Sequence, residues 1–327
     1  MKNSVLMTTY NGQRYILEQL HSIYNQTKKP DEVIICDDCS TDDTVDIIRS
    51  FIEKESLVNW KLIVNKENKG WQKNFIEALE YVKGDIIFFS DQDDNWYPEK
   101  IEVMSNIMKE DNRIQCLAGR FNQIDGQGNN LGEQGNMEVG KSIRKEKERG
   151  SYQKFNAITF LGCTMCISKK LASIIWKINV TNFGHDAQAC RLAMLLEGMY
   201  LLDSAVIKYR MHEENTSGVV AELREGASNL EKRKQTIEAN ILWLKTIIKY
   251  SKEHVLLNKE KEKIVKQTVE MQKDRYLFLE ERKFWRYLSL LKYWKYYSGI
   301  AMYLGDFAYA YNINGKIAPI MAKIKKY

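Results

Sequence analysis

The pattern of apolar runs predicts an α/β fold: a Rossmann-like, doubly wound mixed sheet followed by a C-terminal helical extension. Three observations carry this expectation. In the first hundred residues, strand-like runs alternate with helical patterns of about 10 to 15 residues, the signature of βαβ units. Two of the strand-like runs end in clusters of aspartate. Beyond residue 222 the chain turns basic, aromatic and helical, which divides its 327 residues into expected domains 1–222 and 223–327.

Ser4 to Thr8 reads as the first strand and is followed by a turn, Thr8-Thr9-Tyr10-Asn11-Gly12. Ile16, Leu17, Leu20, Ile23 and Tyr24 recur on one face of a helix spanning about Arg14 to Asn25. Glu32 to Cys36 is a second strand, and the Ser/Thr/Asp cluster after it caps a helix from Thr44 to Lys54. Trp60 to Val64 is a third strand, and Trp71 to Val82 a helix. Ile86 to Phe89 is a buried strand that ends in three aspartates, Asp91, Asp93 and Asp94. Leu117 to Leu131 reads as a hairpin with Asp125-Gly126 and Gly128-Asn129 turn signals. A charge run from Lys141 to Gly150 is expected to be a solvated loop. Phe160 to Ser168 and Val206 to Lys208 complete the expected strands.

The composition, 44% hydrophobic and 28% charged, is that of a globular protein with ample material for a core. No run of 18 uncharged apolar residues exists, so no spanning helix is expected, and Met1 to Ser4 leads straight into a strand without a signal peptide. Six cysteines in such a chain are expected to be reduced, in a cytoplasmic protein. The CxxC spacing of Cys36/Cys39 and Cys163/Cys166 invites zinc, but Cys36 ends an apolar strand and Cys163 to Cys166 lies in an apolar run, where buried small thiols account for both. No G-x-G-x-x-G follows the first strand and no G-x-x-x-x-G-K-[ST] occurs, which weakens dinucleotide-binding and P-loop readings.

Parallel strands point the same way, so Asp37/Asp38 and Asp91/Asp93 are expected to face one crevice beyond the strand ends. Three crowded carboxylates repel one another unless a cation joins them, and Mg²⁺ or Mn²⁺ held by one or two carboxylates keeps positions for water and phosphate. The alternative is a solvated acidic loop capping the helix that starts near Pro98.

Thr8-Thr9-Tyr10-Asn11, Gln26-Thr27, Asp37-Asp38-Cys39-Ser40-Thr41-Asp42-Asp43-Thr44, Asn68-x-Gly70, Asn74 and Ser90-Asp91-Gln92-Asp93-Asp94-Asn95-Trp96 follow the order and spacing of family-2 glycosyltransferases. The chain resembles these GT-A-fold, nucleotide-sugar-dependent enzymes over residues 4 to about 217, and looks most like bacterial transferases of rhamnose-containing or other surface polysaccharides. The resemblance implies that Asp37 and Asp38 bind the base or ribose of the donor, with Thr8, Tyr10, Asn11, Lys73, Asn74 and Gln92 also on the donor side. It makes Asp91-x-Asp93 the DxD element that holds a divalent ion, Mn²⁺ or Mg²⁺, against the diphosphate. It assigns Asp186, in Asn182-Phe183-Gly184-His185-Asp186, as the base of inverting transfer. As a bare residue at a helix start, Asp186 reads first as an N-cap, and only the resemblance makes it the base. His185, Trp96, Gly162 and Cys163 fall on the implied acceptor side. The closing segment Tyr209-Arg210-Met211-His212 supplies Arg210 for phosphate oxygens and His212 for the metal shell or the diphosphate. The Gln-x-x-Arg-Trp motif of processive relatives is absent, which argues for adding one sugar or a few.

The implied donor is a dTDP-rhamnose or a UDP-hexose, and the implied acceptor a glycan or lipid-linked glycan. From Glu231 to Tyr327 there are 21 Lys/Arg against 10 Asp/Glu, and Lys283 to Tyr297 interleaves cations with aromatic rings. That pattern suits a helix lying on an anionic membrane surface through residues 283–327, and a peripheral place on the inner face of the cell membrane. A helix packed on its own protein or on another subunit, as in a homo-oligomer, is the alternative. No nucleic-acid motif accompanies the basic residues. Two further readings remain: a sugar-phosphate nucleotidyltransferase, which would not need Asp186 as base, and an inert scaffold docking partners through its tail.

Overall fold

A computed structural model describes residues 1–131, 143–145, 152–157, 159–212, 230–297 and 299–313. It divides into two compact units. The first comprises 1–149 and 159–211, the second 150–158 and 212–327.

The first unit is built on a mixed sheet. Its strands are β1 (Asn3–Thr9), β2 (Glu32–Asp37), β3 (Trp60–Val64), β4 (Ile86–Ser90), β5 (Asn95–Trp96), β6 (Cys116–Ile124), β7 (Ile143–Lys145), β8 (Met165–Ser168) and β9 (Met199–Arg210). They lie in the order β3-β2-β1-β4-β8-β6-β9-β5, with β7 also paired to β9. The first four are parallel neighbours joined through helices α1 (Ile16–Tyr24), α2 (Thr44–Lys54) and α3 (Trp71–Ala78). β1, β2 and β4 are buried almost throughout, because helices cover both faces of a parallel sheet. Their apolar runs therefore do not alternate, which made them legible as strands.

The second half of the sheet departs from the sequence reading. β8 runs antiparallel to β4 and β6, while β6 runs parallel to β9. The strand expected from Phe160 begins only at Met165, since Gly162–Thr164 forms a turn of 3-10 helix. The expected hairpin has its first arm in the long strand β6 and its turn at 125–129, with an antiparallel bridge between Ile124 and Asn130 in the part of the return arm that lies among the described residues. The last strand is 12 residues long, and part of the expected charged loop, 143–145, pairs with it as β7; the rest of that loop lies outside the described residues. Helices α4 (Lys100–Glu110), α5 (Lys169–Ile178) and α6 (His185–Leu195) complete the unit. Ser168 caps α5, its hydroxyl accepting the Leu171 N–H at 3.1 Å.

The second unit is helical. α7 (Leu230–His254) and α8 (Lys259–Glu281) pack along each other, joined through a left-handed Val255 and the N-cap Asn258. The expected start of α7 at 223–229 lies outside the described residues. The aromatic segment is not one helix: α9 (Phe284–Ser289) passes into 3-10 helix over Leu290–Tyr296, and α10 (Ile300–Ala310) follows. At the centre sits Asp306, fully buried, its carboxylate bonded to Arg275 at 2.6 and 2.7 Å, to Arg233 at 2.9 Å and to the Tyr297 hydroxyl at 3.2 Å.

Burial alone would raise the Asp306 pKa, but Arg275 and Arg233 outweigh it and hold the carboxyl below its ordinary value. A depressed folded-state pKa adds stability above the unfolded value of about 4 and loses it as pH falls through the folded value. Asp306→Asn should therefore cost the second unit about 3–5 kcal/mol, by leaving Arg275 buried without its counter-charge. The variant should also flatten the acid limb of stability below about pH 4, measured by chemical denaturation across pH. An unchanged midpoint would show that the buried pair contributes nothing net.

Candidate active site

Parallel β1, β2 and β4 deliver their carboxyl ends to one edge of the sheet. At the end of β2, Asp37 is fully buried and accepts hydrogen bonds from the Thr9 hydroxyl (2.8 Å), the Ser40 N–H (2.8 Å) and the Ser40 hydroxyl (2.6 Å). Asp38 accepts from the Asn65 amide (3.0 Å), the Lys69 N–H (2.9 Å) and the Gly70 N–H (2.8 Å), which ties the loop before α3 to β2. Asn74 donates to the Cys36 carbonyl at 2.9 Å and accepts from Asn65 at 3.0 Å. A cavity of about 640 Å³ opens beside these groups, lined in part by Asn65, Lys69, Asn74, Glu77, Tyr81 and Trp176. It lies on the Asp38 side of α3, away from the aspartates that follow β4.

The first loop is held from across the sheet. The Gln92 amide donates to the Tyr10 carbonyl (3.0 Å) and accepts the Tyr10 N–H (2.8 Å), leaving the Tyr10 ring exposed. Asn11 adopts a left-handed conformation, and its side-chain carbonyl accepts the Thr41 N–H at 2.9 Å. Thr8 is buried, and Lys73 is an exposed partner of Glu77 at 3.8 Å.

After β4 the carboxylates crowd. One ligand atom each from Asp91, Asp94 and Cys163 lies within 4.8 Å of the others, a grouping in which Asp93 has no part. Burial, then Asp93 and Asp186 in turn, push the Asp91 carboxyl up to about 7. Asp94 is raised well above its usual value by burial and by Asp93 and Asp91. Its Oδ1 accepts the Arg210 N–H at 3.2 Å, whereas Oδ2 is buried with no nitrogen or hydroxyl donor among the described residues. Hard carboxylate oxygens poor in donors suit Mg²⁺ or Mn²⁺. Burial holds the Cys163 thiol protonated, so it offers no thiolate.

Two cations answer this crowding from inside the protein. Lys100, the first residue of α4 and 1% exposed, donates to the Cys163 carbonyl at 2.6 Å. Its ammonium stands 3.4 Å over the Trp96 ring, and burial lowers its pKa to about 7 against the pull of its neighbours. Arg210 is buried too, with its guanidinium on Glu18 (2.6 Å) and the Asp93 carbonyl (2.8 Å). Neither Lys100 nor Glu18 stands out in the sequence, where each reads as a solvated charge. Trp96 is packed into the core under Lys100. His212 is half-buried and belongs to the second unit.

Asp186 is the second residue of α6. Burial raises its pKa, opposed by the Ala187 N–H that it accepts at 2.7 Å and by Arg191. Its effect on Asp91 puts it in the same electrostatic neighbourhood as the acidic loop. His185 is 3% exposed, stacked on Phe75 at 3.9 Å and met edge-on by Phe89 at 4.7 Å. Neither ring nitrogen has a hydrogen-bond partner among the described residues. Gly162 is required opposite it: a Cβ there would come within 2.5 Å of Nε2.

The chain matches known proteins in sequence and in fold. The family model described as Glycosyl transferase family 2 matches residues 4–175. The dTDP-rhamnosyl transferase RfbG of Shigella flexneri is 30% identical over 224 residues, which span 65% of this chain and 73% of that protein. Among solved structures, residues 1–349 of Staphylococcus aureus TarS with UDP-GlcNAc superpose with a TM-score of 0.57 at 20% identity, over 100% of this chain and 88% of that one. The mannosyltransferase PcManGT of Pyrobaculum calidifontis, in complex with GDP-Man and Mn²⁺, gives 0.51 at 14% identity, over 99% and 78%. At those identities the two structures bear on the fold alone: a GT-A architecture with C-terminal helices.

Burial holds His185 neutral, with its pKa down to about 3. Between about pH 6.5, where an unfolded histidine takes up its proton, and about 3, the folded chain binds fewer protons than the unfolded one, so stability falls as pH drops. His185→Gln should remove this slope, which amounts to at most about 1.4 kcal/mol per pH unit. Equal slopes in native and variant chains, followed by denaturation from pH 7 to 4, would contradict the neutral buried imidazole.

Proposed function

Because this chain belongs to glycosyl transferase family 2, we propose that it moves a sugar from a nucleotide sugar to a glycan or lipid-linked acceptor, with inversion, in bacterial surface-polysaccharide synthesis. The observation that carries the reading is the convergence, in one unit, of Asp37/Asp38 after β2, the carboxylates after β4, and Asp186 at the start of α6. Asp37 and Asp38 arrange the donor's nucleoside side. Asp91 and Asp94, with Asp93 beside them, are the residues that would hold Mn²⁺ or Mg²⁺. The donor oxygens fit such an ion, which supplies positive charge to a departing diphosphate.

Asp186 acts as the base. A buried carboxylate whose pKa is raised holds a proton more firmly than one in water, which suits it to take the proton of an acceptor hydroxyl. That oxygen forms the new bond to the anomeric carbon. The bond from carbon to phosphate oxygen breaks, and the nucleoside diphosphate departs with the electron pair. Similarity to a dTDP-rhamnosyl transferase favours dTDP-rhamnose as donor, with UDP-hexoses as the alternative class. Arg210, committed to Glu18 and the acidic loop, serves by holding that loop.

Asp186→Asn is expected to lower turnover by about 10²–10⁴, while nucleotide-sugar binding, followed by calorimetry with UDP-, dTDP- and GDP-sugars and Mn²⁺ or Mg²⁺, stays intact. A variant that turns over normally removes Asp186 as base. A native chain whose nucleotide binding ignores the metal removes the ion.

We also propose that the second unit meets an anionic membrane. No helix among the described residues is long and apolar enough to cross one. Phe284, Trp285, Leu288, Leu291 and Trp294 are nonetheless 47–57% exposed, while Tyr287 and Leu290 turn inward. From Arg282 to Gly305 the sequence holds five Lys/Arg and no Asp/Glu. Aromatic rings at headgroup depth beside cations are the features of an interfacial segment. Full-length protein should co-sediment with phosphatidylglycerol vesicles and not with phosphatidylcholine ones, and Trp285→Ser with Trp294→Ser should release it without changing nucleotide binding. Failure of the native chain to sediment would make the exposed face a protein contact.

A further inference from the structure

One aromatic ring beside the candidate base is used by nothing so far described. Trp71 opens α3 and remains 40% exposed. It is held rather than loose: the His185 ring meets it edge-on at 6.1 Å and 80°. It also lies against the residue before His185. The position that a Cβ would take on Gly184 is 3.3 Å from Cη2 of Trp71 and 2.6 Å from Oδ1 of Asp186. The six-membered edge of the indole and the carboxylate oxygen thus flank one glycine.

We propose that Trp71 is a pyranose platform, a binding residue on which a sugar ring rests with its hydroxyl directed to Asp186. This rests on the reading of the crevice as a glycosyl-transfer site. An indole offers the largest flat apolar face of any side chain on few rotatable bonds, so little entropy is lost when a ligand settles on it. A pyranose presents C–H groups on one face and hydroxyls around its rim. The indole takes the C–H face while the neighbouring carboxylate takes a rim hydroxyl, a division of labour in which apolar contact gives area and few polar groups give orientation. A nucleobase would fit the indole face equally well, and Asp38 holds the N–H of Gly70, next to Trp71 in the chain, so free nucleoside diphosphates belong in the test. His185, itself fixed by stacking on Phe75, stands against the edge of the Trp71 ring.

The ring that docks is either the transferred sugar or the acceptor sugar, and binding distinguishes them. Affinities of UDP and dTDP, of the corresponding nucleotide sugars, and of a methyl pyranoside panel (rhamnoside, glucoside, N-acetylglucosaminide) would be measured with Mn²⁺ for the native chain, Trp71→Ala and Trp71→Phe, by calorimetry and saturation-transfer NMR. The nucleoside diphosphates are expected to bind all three proteins alike. Trp71→Ala should weaken one sugar class by about tenfold, with Trp71→Phe intermediate. Loss confined to nucleotide sugars identifies the transferred sugar, and loss confined to methyl pyranosides the acceptor. Sugar binding unchanged in Trp71→Ala overturns the platform, as does a loss extending to free nucleoside diphosphate in the folded Trp71→Phe protein. A native chain that binds no sugar of any class sinks the transfer reading itself, and failure of Asp186 as the base is read separately, from the turnover of Asp186→Asn.

Discussion

The first unit is arranged around a concentration of negative charge that could not persist alone. Asp91, Asp93, Asp94 and Asp186 share one electrostatic neighbourhood, and both Asp91 and Asp94 are raised by burial before their neighbours raise them further. Like charges at such range in a poorly solvated place cost several kcal/mol unless protons or cations are drawn in. Lys100 and Arg210 supply part of the answer from within. Because Arg210 is already matched by Glu18, the internal count remains short of positive charge. In the proposed reading a divalent ion and a diphosphate would complete the site together, the ion answering the carboxylates and the phosphates answering the ion.

This requirement explains the mixed half of the sheet. Three aspartates after β4 need only the local chain, but Arg210 arrives at the end of β9 and Cys163 on the 3-10 turn before β8. Asp186 arrives at the start of α6, between β8 and β9 in the chain. A parallel βαβ series would send each successive strand end to its own position along the edge. Reversing β8 instead brings the 3-10 turn that precedes it to the end of β4, where Lys100 can bond it.

What the sequence disclosed follows the same division. β1, β2 and β4 were legible because strands covered on both faces must be continuously apolar, and the aspartates after β2 and β4 were legible because strand ends in such sheets are where ligands bind. β6 was legible in part: the Asp125-Gly126 turn is real and the Ile124–Asn130 bridge begins a return arm, while the polar Arg120, Asn122 and Gln123 hid how far the first strand runs. Lys100 was invisible for another reason. A lysine at a helix start after a polar loop is ordinarily solvated, and only tertiary contacts with Trp96 and the Cys163 carbonyl enclose it. His185 could be read only as a neighbour of Asp186, since its burial depends on Phe75 and Phe89 from other elements.

Aromatic residues in the second unit serve two opposite ends, and the contrast bears on why some face outward. Tyr287 stacks on Tyr303 at 4.3 Å, and Tyr297 reaches the Asp306 carboxylate, so the interior of α8, α9 and α10 is supplied with rings. Phe284 and Trp294 touch that interior only at its margin, on Tyr287 at 6.4 Å and Tyr303 at 6.1 Å, and they and Trp285 each leave about half their surface in water. A lone exposed ring needs no explanation, but several on one short segment, beside leucines exposed to the same degree, form a patch that water penalises. The cost is about 25 cal/mol for each Å² of apolar surface left uncovered, and folding offers no return for it. A chain that already buries Trp243, Phe278 and Leu279 has the means to bury such groups. Their exposure leaves an apolar patch that folding alone does not account for, on a stretch from Arg282 to Gly305 that holds five cations and no acidic residue, and an apolar, anionic partner surface would match both features.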